Sequence, residues 1–176
     1  MATSGSADFE LAVDDYIEEA FERCGLEIRT GYDLKTAKRS LNLLFADWAN
    51  RGLNRWTITQ TTTTITDGTT EYTLAADTID VLSAVIRENA GTASQTDTAI
   101  SRIGRDTYLN ISSKLTESRP TQFYIDRQII PKIRLYPTPN ATYSLVYDRL
   151  TRIEDADSAT NTVDVPFRFY PCLTAG

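Results

Sequence analysis

The chain has 176 residues, 41% of them hydrophobic, with 18 basic and 24 acidic side chains, two cysteines and no histidine. That is enough to bury one core with a subordinate lobe. The missing histidine excludes the usual zinc sets, Ser-His and Cys-His pairs, and imidazole acid–base chemistry. A net charge of −6 without a basic stripe excludes a tight nucleic-acid binder.

No apolar run approaches the ~18 residues of a membrane span. The opening MATSGSADFE has neither the basic flank nor the apolar stretch of a signal peptide, so the sequence reads as an intracellular product or one assembled inside a cell. Residues 1–7 are small and polar, and are expected to form a flexible terminus. From Asp8 onward, Phe9, Val13, Tyr16, Ile17, Ala20, Phe21 and Cys24 recur at helical spacing, predicting an amphipathic helix that ends at Gly25. The opposite face stacks Asp14, Glu18 and Glu22, each four apart and mutually repelling by a few tenths of a kcal/mol per pair. This one helix carries the whole charge imbalance of the chain. A solvated face is as good an account of it as an interface.

A second helix is predicted from Asp33 to Gly52. Asp33 would be its N-cap, Gly52 its left-handed close, and Leu34, Ala37, Leu41, Leu44, Phe45 and Trp48 its apolar stripe. Lys35, Lys38 and Arg39 crowd its first turns, where the helix dipole prefers anions. Antiparallel packing of the two helices would set Glu18, Glu19 and Glu22 against Lys35, Lys38 and Arg39, within a subunit or across a subunit boundary. The candidate interface residues are therefore Asp14, Glu18, Glu22, Lys35, Lys38 and Arg39. No catalytic, cofactor or metal-ligating set is read from the sequence. Both cysteines, Cys24 and Cys172, sit in apolar context, which predicts buried thiols rather than a disulfide.

After Gly52 the period changes. Trp56 to Thr66 is β-branched and nearly without apolar alternation, which suits a sheet edge or a face laid on another chain; an ordinary solvated edge is the commoner case. Asp67-Gly68 signals a hairpin, with Thr69 to Leu74 as its returning strand. Ile79 to Glu88 reads as a better buried strand, and Asn89 to Thr98 as a mobile loop. Ser101 to Ser113 reads as a strand end followed by a helical turn around Tyr108 and Leu109. Thr121 to Arg127, Lys132 to Tyr136 and Tyr143 to Leu150 alternate cleanly and predict a three-stranded antiparallel meander bordered by Pro120, Pro131, Pro137 and Pro139. Glu154 to Asp164 is loop-like, and Pro166 would open a closing helix with Phe167, Phe169, Tyr170 and Leu173.

Three stretches, Phe21 to Thr57, Arg119 to Leu150 and Asp164 to Gly176, together resemble the head-to-tail adaptor (connector) proteins of short-tailed and related bacteriophages. The pattern runs in order over nearly the whole chain, and the loop from Asn89 to Thr98 matches least. The resemblance implies an α+β fold, a small helical bundle with an inserted antiparallel β lobe. The helical subdomain would be 8–55 with 165–176 returning to it, and the lobe 56–153. It further implies a structural protein of the virion, made in the host cytoplasm and without cofactor. The family forms a homo-oligomeric ring, typically of twelve copies, between the portal protein and the tail nozzle or tube. That ring extends the DNA channel without sequence-specific nucleic-acid binding and without a membrane. Family members dock a C-terminal helix and tail between portal subunits; this sequence stops at Gly176, where those helices would run.

Two other readings compete. Asp14 and Glu18 are paired carboxylates, as in a cell-wall hydrolase, but both rise from one helix face instead of facing across a cleft. A β-rich glycan- or receptor-binding tail module could use Tyr124, Tyr136, Tyr143 and Tyr147, although aromatics alternating on strands are far more often core.

Overall fold

A computed structural model describes residues 4–6, 9–27 and 31–175. Asp8, where the first helix was expected to begin, lies outside them, as do residues 1–3 and 7 of the expected flexible terminus. The chain forms two compact units, Met1–Trp56 with Ile153–Gly176, and Thr57–Arg152.

The first unit is built on α1 (Val13–Arg23) and α2 (Gly31–Asn50). Their apolar stripes supply Val13, Tyr16 and Ile17 from α1, and Leu41, Phe45 and Trp48 from α2, to one buried cluster. Asp33 does not cap α2; it lies in the first turn, where its charge suits the dipole. Gly52 takes φ +69, the left-handed conformation that stops a helix. The C-terminal segment completes the cluster. Val165 and Leu173 are buried in it, and the Phe169 ring sits 4.9 Å from that of Trp56 and 5.6 Å from that of Trp48. The Trp56 indole donates to the Asp164 carbonyl at 3.0 Å, so burying the ring leaves no orphaned N–H. Pro166 precedes a single 3-10 turn, Phe167–Phe169, which runs on into the short α4 (Tyr170–Leu173).

The second unit is one seven-stranded sheet. In chain order its strands are β1 (Ile58–Ile65), β2 (Glu71–Thr73), β3 (Thr78–Glu88), β4 (Thr96–Arg102), β5 (Gln122–Asp126), β6 (Lys132–Tyr136) and β7 (Tyr143–Thr151). In space they run β1-β7-β3-β4-β5-β6-β2, and the sheet curls into a half-barrel. Ile65, Val81, Ala84, Ile86, Ile100, Phe123, Ile125, Ile133, Leu135, Leu145 and Tyr147 therefore share one interior with Leu74, just past β2. Two register shifts between β3 and β7 add local bend. Residues 66–70 join β1 to β2 although the two lie at opposite edges; the Tyr72 hydroxyl spans that connection, accepting from the Thr66 amide at 2.9 Å and donating toward the Thr69 carbonyl at 3.0 Å.

The expected fold class is corrected. Among the described residues the fold is mainly this curled mixed sheet with four helices, not a helical bundle with a small antiparallel lobe. Among the described residues only α1 and α2 exceed five residues, and two helices cannot enclose a bundle core; the closing segment adds one 3-10 turn and the four-residue α4. The sheet is mixed because the excursion after β4, which includes α3 (Arg105–Leu109), returns the chain beside β4 in the same direction as β5. Asp67-Gly68 does turn the chain, with Gly68 at φ +70, but its two flanking strands do not pair with each other: β1 pairs with β7, and β2 with β6. The expected meander is broken likewise. β5 and β6 form a hairpin, whereas β7 inserts between β1 and β3. The expected loop from Asn89 to Thr98 shortens, because Thr96 to Thr98 already belong to β4. As expected for a polar threonine strand, β1 is an edge.

Replacing Ile133, which is fully buried in the sheet interior, by Ala is expected to cost about 2–5 kcal/mol through lost burial and a residual cavity. Ile129→Ala, at a side chain 96% exposed, should stay within about 0.5 kcal/mol of the parent. Urea denaturation of the two variants checks the contrast.

Candidate functional site

The charged face of α1 is solvent-facing. Glu18 and Glu22 are exposed and Asp14 is half-buried, while Val13, Tyr16 and Ile17 turn inward. The α1 start is held by the chain that returns from the sheet unit: the Val13 and Asp14 amides donate to the Asn161 and Ala159 carbonyls at 2.9 and 3.0 Å. Asp15 accepts from the Ala12 amide at 2.9 Å. Glu19 pairs with Arg23 one turn on, at 2.7 Å, a half-exposed contact of little energetic weight.

On α2, Lys35 and Arg39 are exposed and Lys38 is half-buried. Lys38 donates to the Asp157 carbonyl at 3.0 Å, tying α2 to the returning loop; nearby, the Asn42 carboxamide oxygen accepts from the Ala156 amide at 2.7 Å. Among the described residues, no ion pair joins Asp14, Glu18 or Glu22 to Lys35, Lys38 or Arg39. The structure brings each group of three together on its own helix and leaves the two groups unjoined within the chain.

Sequence reasoning missed the groove between these helices. It holds about 550 Å³ and is walled by Ile17, Ala20 and Phe21 of α1, by Ala37 and Leu44 of α2, and by Leu173. Tyr16 lies at its edge, fully buried, with its hydroxyl lacking a well-formed hydrogen bond and its ring edge-on to Tyr170 at 5.4 Å. Burial, and then Tyr170, push its ionisation well above the ordinary tyrosine range, so it is a neutral phenol. Helical spacing gave the core face of each helix but not how far apart the two stripes would splay.

The cysteines also depart from expectation. Both are free and exposed, because Cys24 caps the C-terminus of α1 and Cys172 sits on the outer side of α4. Among the described residues no cluster of cysteine or carboxylate side chains could hold a metal ion, and no helix is long and apolar enough to cross a membrane.

The sheet unit carries its own charge networks. Asp80 takes a two-point contact from Arg102, at 3.0 Å each, and a third bond from Arg127 at 2.7 Å. Burial alone would raise the Asp80 carboxyl; the Arg102 bond and charge, with the Val81 amide and Arg127, overcome it and hold it below the usual carboxylate range. Glu71 is likewise lowered, chiefly by its bond to Lys132 at 2.6 Å, with Arg134 at 2.9 Å. Three of the four tyrosines that suggested a binding module pack within the sheet unit. Tyr147 is core, Tyr143 packs on it, and Tyr124 stacks on Tyr108 with ring centroids 5.5 Å apart.

With this geometry in place, the comparison with known families is decisive at one level: the profile of the family described as SU10 adaptor protein matches residues 8–175. The chain belongs to that family. It is a phage adaptor, a structural protein of the virion. No curated protein matches the chain. An adaptor works through surfaces, which puts the weight on the splayed helices, their two unjoined charge groups and the groove.

The Asp80 network gives a pH signature. A carboxylate whose folded-state pKa is lowered adds stability above its free value of 3.8, and that stability is lost as pH falls through the folded value. Asp80→Asn should cost about 1–3 kcal/mol at neutral pH, the worth of hydrogen bonds to a charged group, and the gap from the parent should narrow below about pH 4. Urea titrations of parent and variant at pH 7 and pH 3.5 measure it.

Proposed function

We propose that this adaptor acts as a homo-oligomeric ring, twelve-fold like that of the connector proteins it resembles, seated between the portal protein and the tail nozzle or tube and continuing the DNA channel. The observation that carries the reading is the uneven charge. The helical unit holds 14 acidic and 8 basic residues, the sheet unit 10 of each, so the first carries the full −6. Within it, an acidic helix face and a basic helix face are both presented and not joined to each other. Opposite patches on one subunit are what a head-to-tail contact needs, and such contacts close into rings when the rotation permits. An acidic wall would also keep passing DNA from adhering. Asp14, Glu18 and Glu22 are the proposed acidic side of the contact, and Lys35, Lys38 and Arg39 the basic side.

The test is assembly on a purified portal ring, followed by light scattering across a salt series. Free subunits are expected to be monomeric or weakly associated and to form the ring stably on the portal. Glu18→Gln with Glu22→Gln should leave the isolated fold unchanged, weaken assembly and reduce its salt sensitivity, since the Debye length is only about 8 Å at physiological ionic strength. Assembly kept while DNA passage slows would place the stripe on the channel wall. A stable ring in the absence of portal would contradict the assembly order, and a double variant equal to the parent in every readout would make the stripe a solvated face only.

A further inference from the structure

The β5–β6 hairpin ends in an anomaly. Its loop, residues 127–131, reads Arg-Gln-Ile-Ile-Pro, and Ile129 and Ile130 are 96% and 52% exposed. Tight connections ordinarily carry Gly, Asn, Asp or Ser, and a pair of adjacent isoleucines at a hairpin tip breaks the local pattern with no gain inside the fold. The strands behind the tip are paired and anchored in the core. Phe123, Ile125, Ile133 and Leu135 are buried, and the five paired positions Gln122↔Tyr136 to Asp126↔Lys132 carry the loop outward. Gln128 is fixed on Asp126 by its amide to the carbonyl at 3.0 Å and by its side chain at 2.9 Å. Arg127, bonded to Asp80, keeps much of its guanidinium in solvent at the base of the tip.

The helical unit offers the counterpart. Its groove is lined mainly by aliphatic and aromatic side chains, with Thr36, Ser40 and Asp33 on the α2 side. A volume of about 550 Å³ falls in the range of sites that take up small apolar groups (roughly 300–1,000 Å³). Its lining includes the carboxylate of Asp33, and the tip brings Arg127, whose guanidinium is largely in solvent.

We propose that the Ile129–Ile130 tip of one copy seats in the α1–α2 groove of the next copy. The inference rests on the ring reading above and names the apolar contact within it. The tip and the groove are different surfaces of one chain, so the contact is head-to-tail and repeats from copy to copy. The isoleucines supply the desolvated centre.

Disulfide trapping tests it directly. In a background with Cys24→Ser and Cys172→Ser, Ile129→Cys is combined with Ser40→Cys, an exposed position on the groove wall. Mild oxidation of the concentrated protein and of its portal assemblies should give a ladder of linked oligomers. A mixture of the two single variants should stop at linked dimers. Ile129→Lys in the otherwise native chain should weaken assembly roughly tenfold or more, by loss of one buried isoleucine, with an unchanged melting temperature. Rings that form without the 129–40 link, or that tolerate Ile129→Lys, overturn this contact and leave the ring reading standing. Trapping of the Ile129→Cys variant on the portal or on a tail protein, in place of a second copy, also overturns it. No higher-order species under any condition overturns both.

Discussion

The structure depends on a closure between two threonines. Thr57 and Thr151, where the chain enters and leaves the sheet unit, bond reciprocally: each hydroxyl donates to the other's carbonyl, at 2.7 and 2.9 Å, and both residues are buried. From that clasp β1 and β7 run antiparallel through eight aligned pairs, Ile58↔Leu150 to Ile65↔Tyr143. The sheet unit therefore begins and ends at one place, which is the condition for interrupting another unit without pulling it apart. It also lets residues 153–176 complete the core that residues 9–56 begin. In that core Phe169 packs against both Trp48 and Trp56.

How much of this was legible depended on how local each signal was. The α2 stripe and the alternation in β5 and β6 are local, and their residues face as the spacing says. Pairing is not local. Asp67-Gly68 announces a turn, but β1 is polar on its outer face, and nothing in its threonines says that its partner lies far along the chain, at β7. β4, TDTAISR, buries only Ile100 and so shows no alternation to read. The resemblance to connector proteins points to the phage adaptor function but suggests too much helix: two helices with a 3-10 turn and the four-residue α4 do not make a bundle.

The candidate site was half visible. Six charged positions stand out in the sequence because like charges cluster and because cations crowd a helix start. What the sequence withheld is where each ends. Lys38 reaches a carbonyl of the returning loop instead of a carboxylate, and the cysteines fall just past the faces that their apolar neighbours bury. The groove depends on the splay of two helices, and the exposure of Ile129 on the pairing of the strands behind it. Neither follows from periodicity.

The net negative charge of this chain sits on one unit and an exposed apolar tip on the other, and the proposed contacts draw on both. The most direct measurement is a reconstruction of the head–tail junction of the phage by electron cryomicroscopy. The account predicts a closed ring of this chain between portal and tail, with the same contact repeated from copy to copy. Copies found elsewhere in the particle, or single copies without contact to one another, would contradict it.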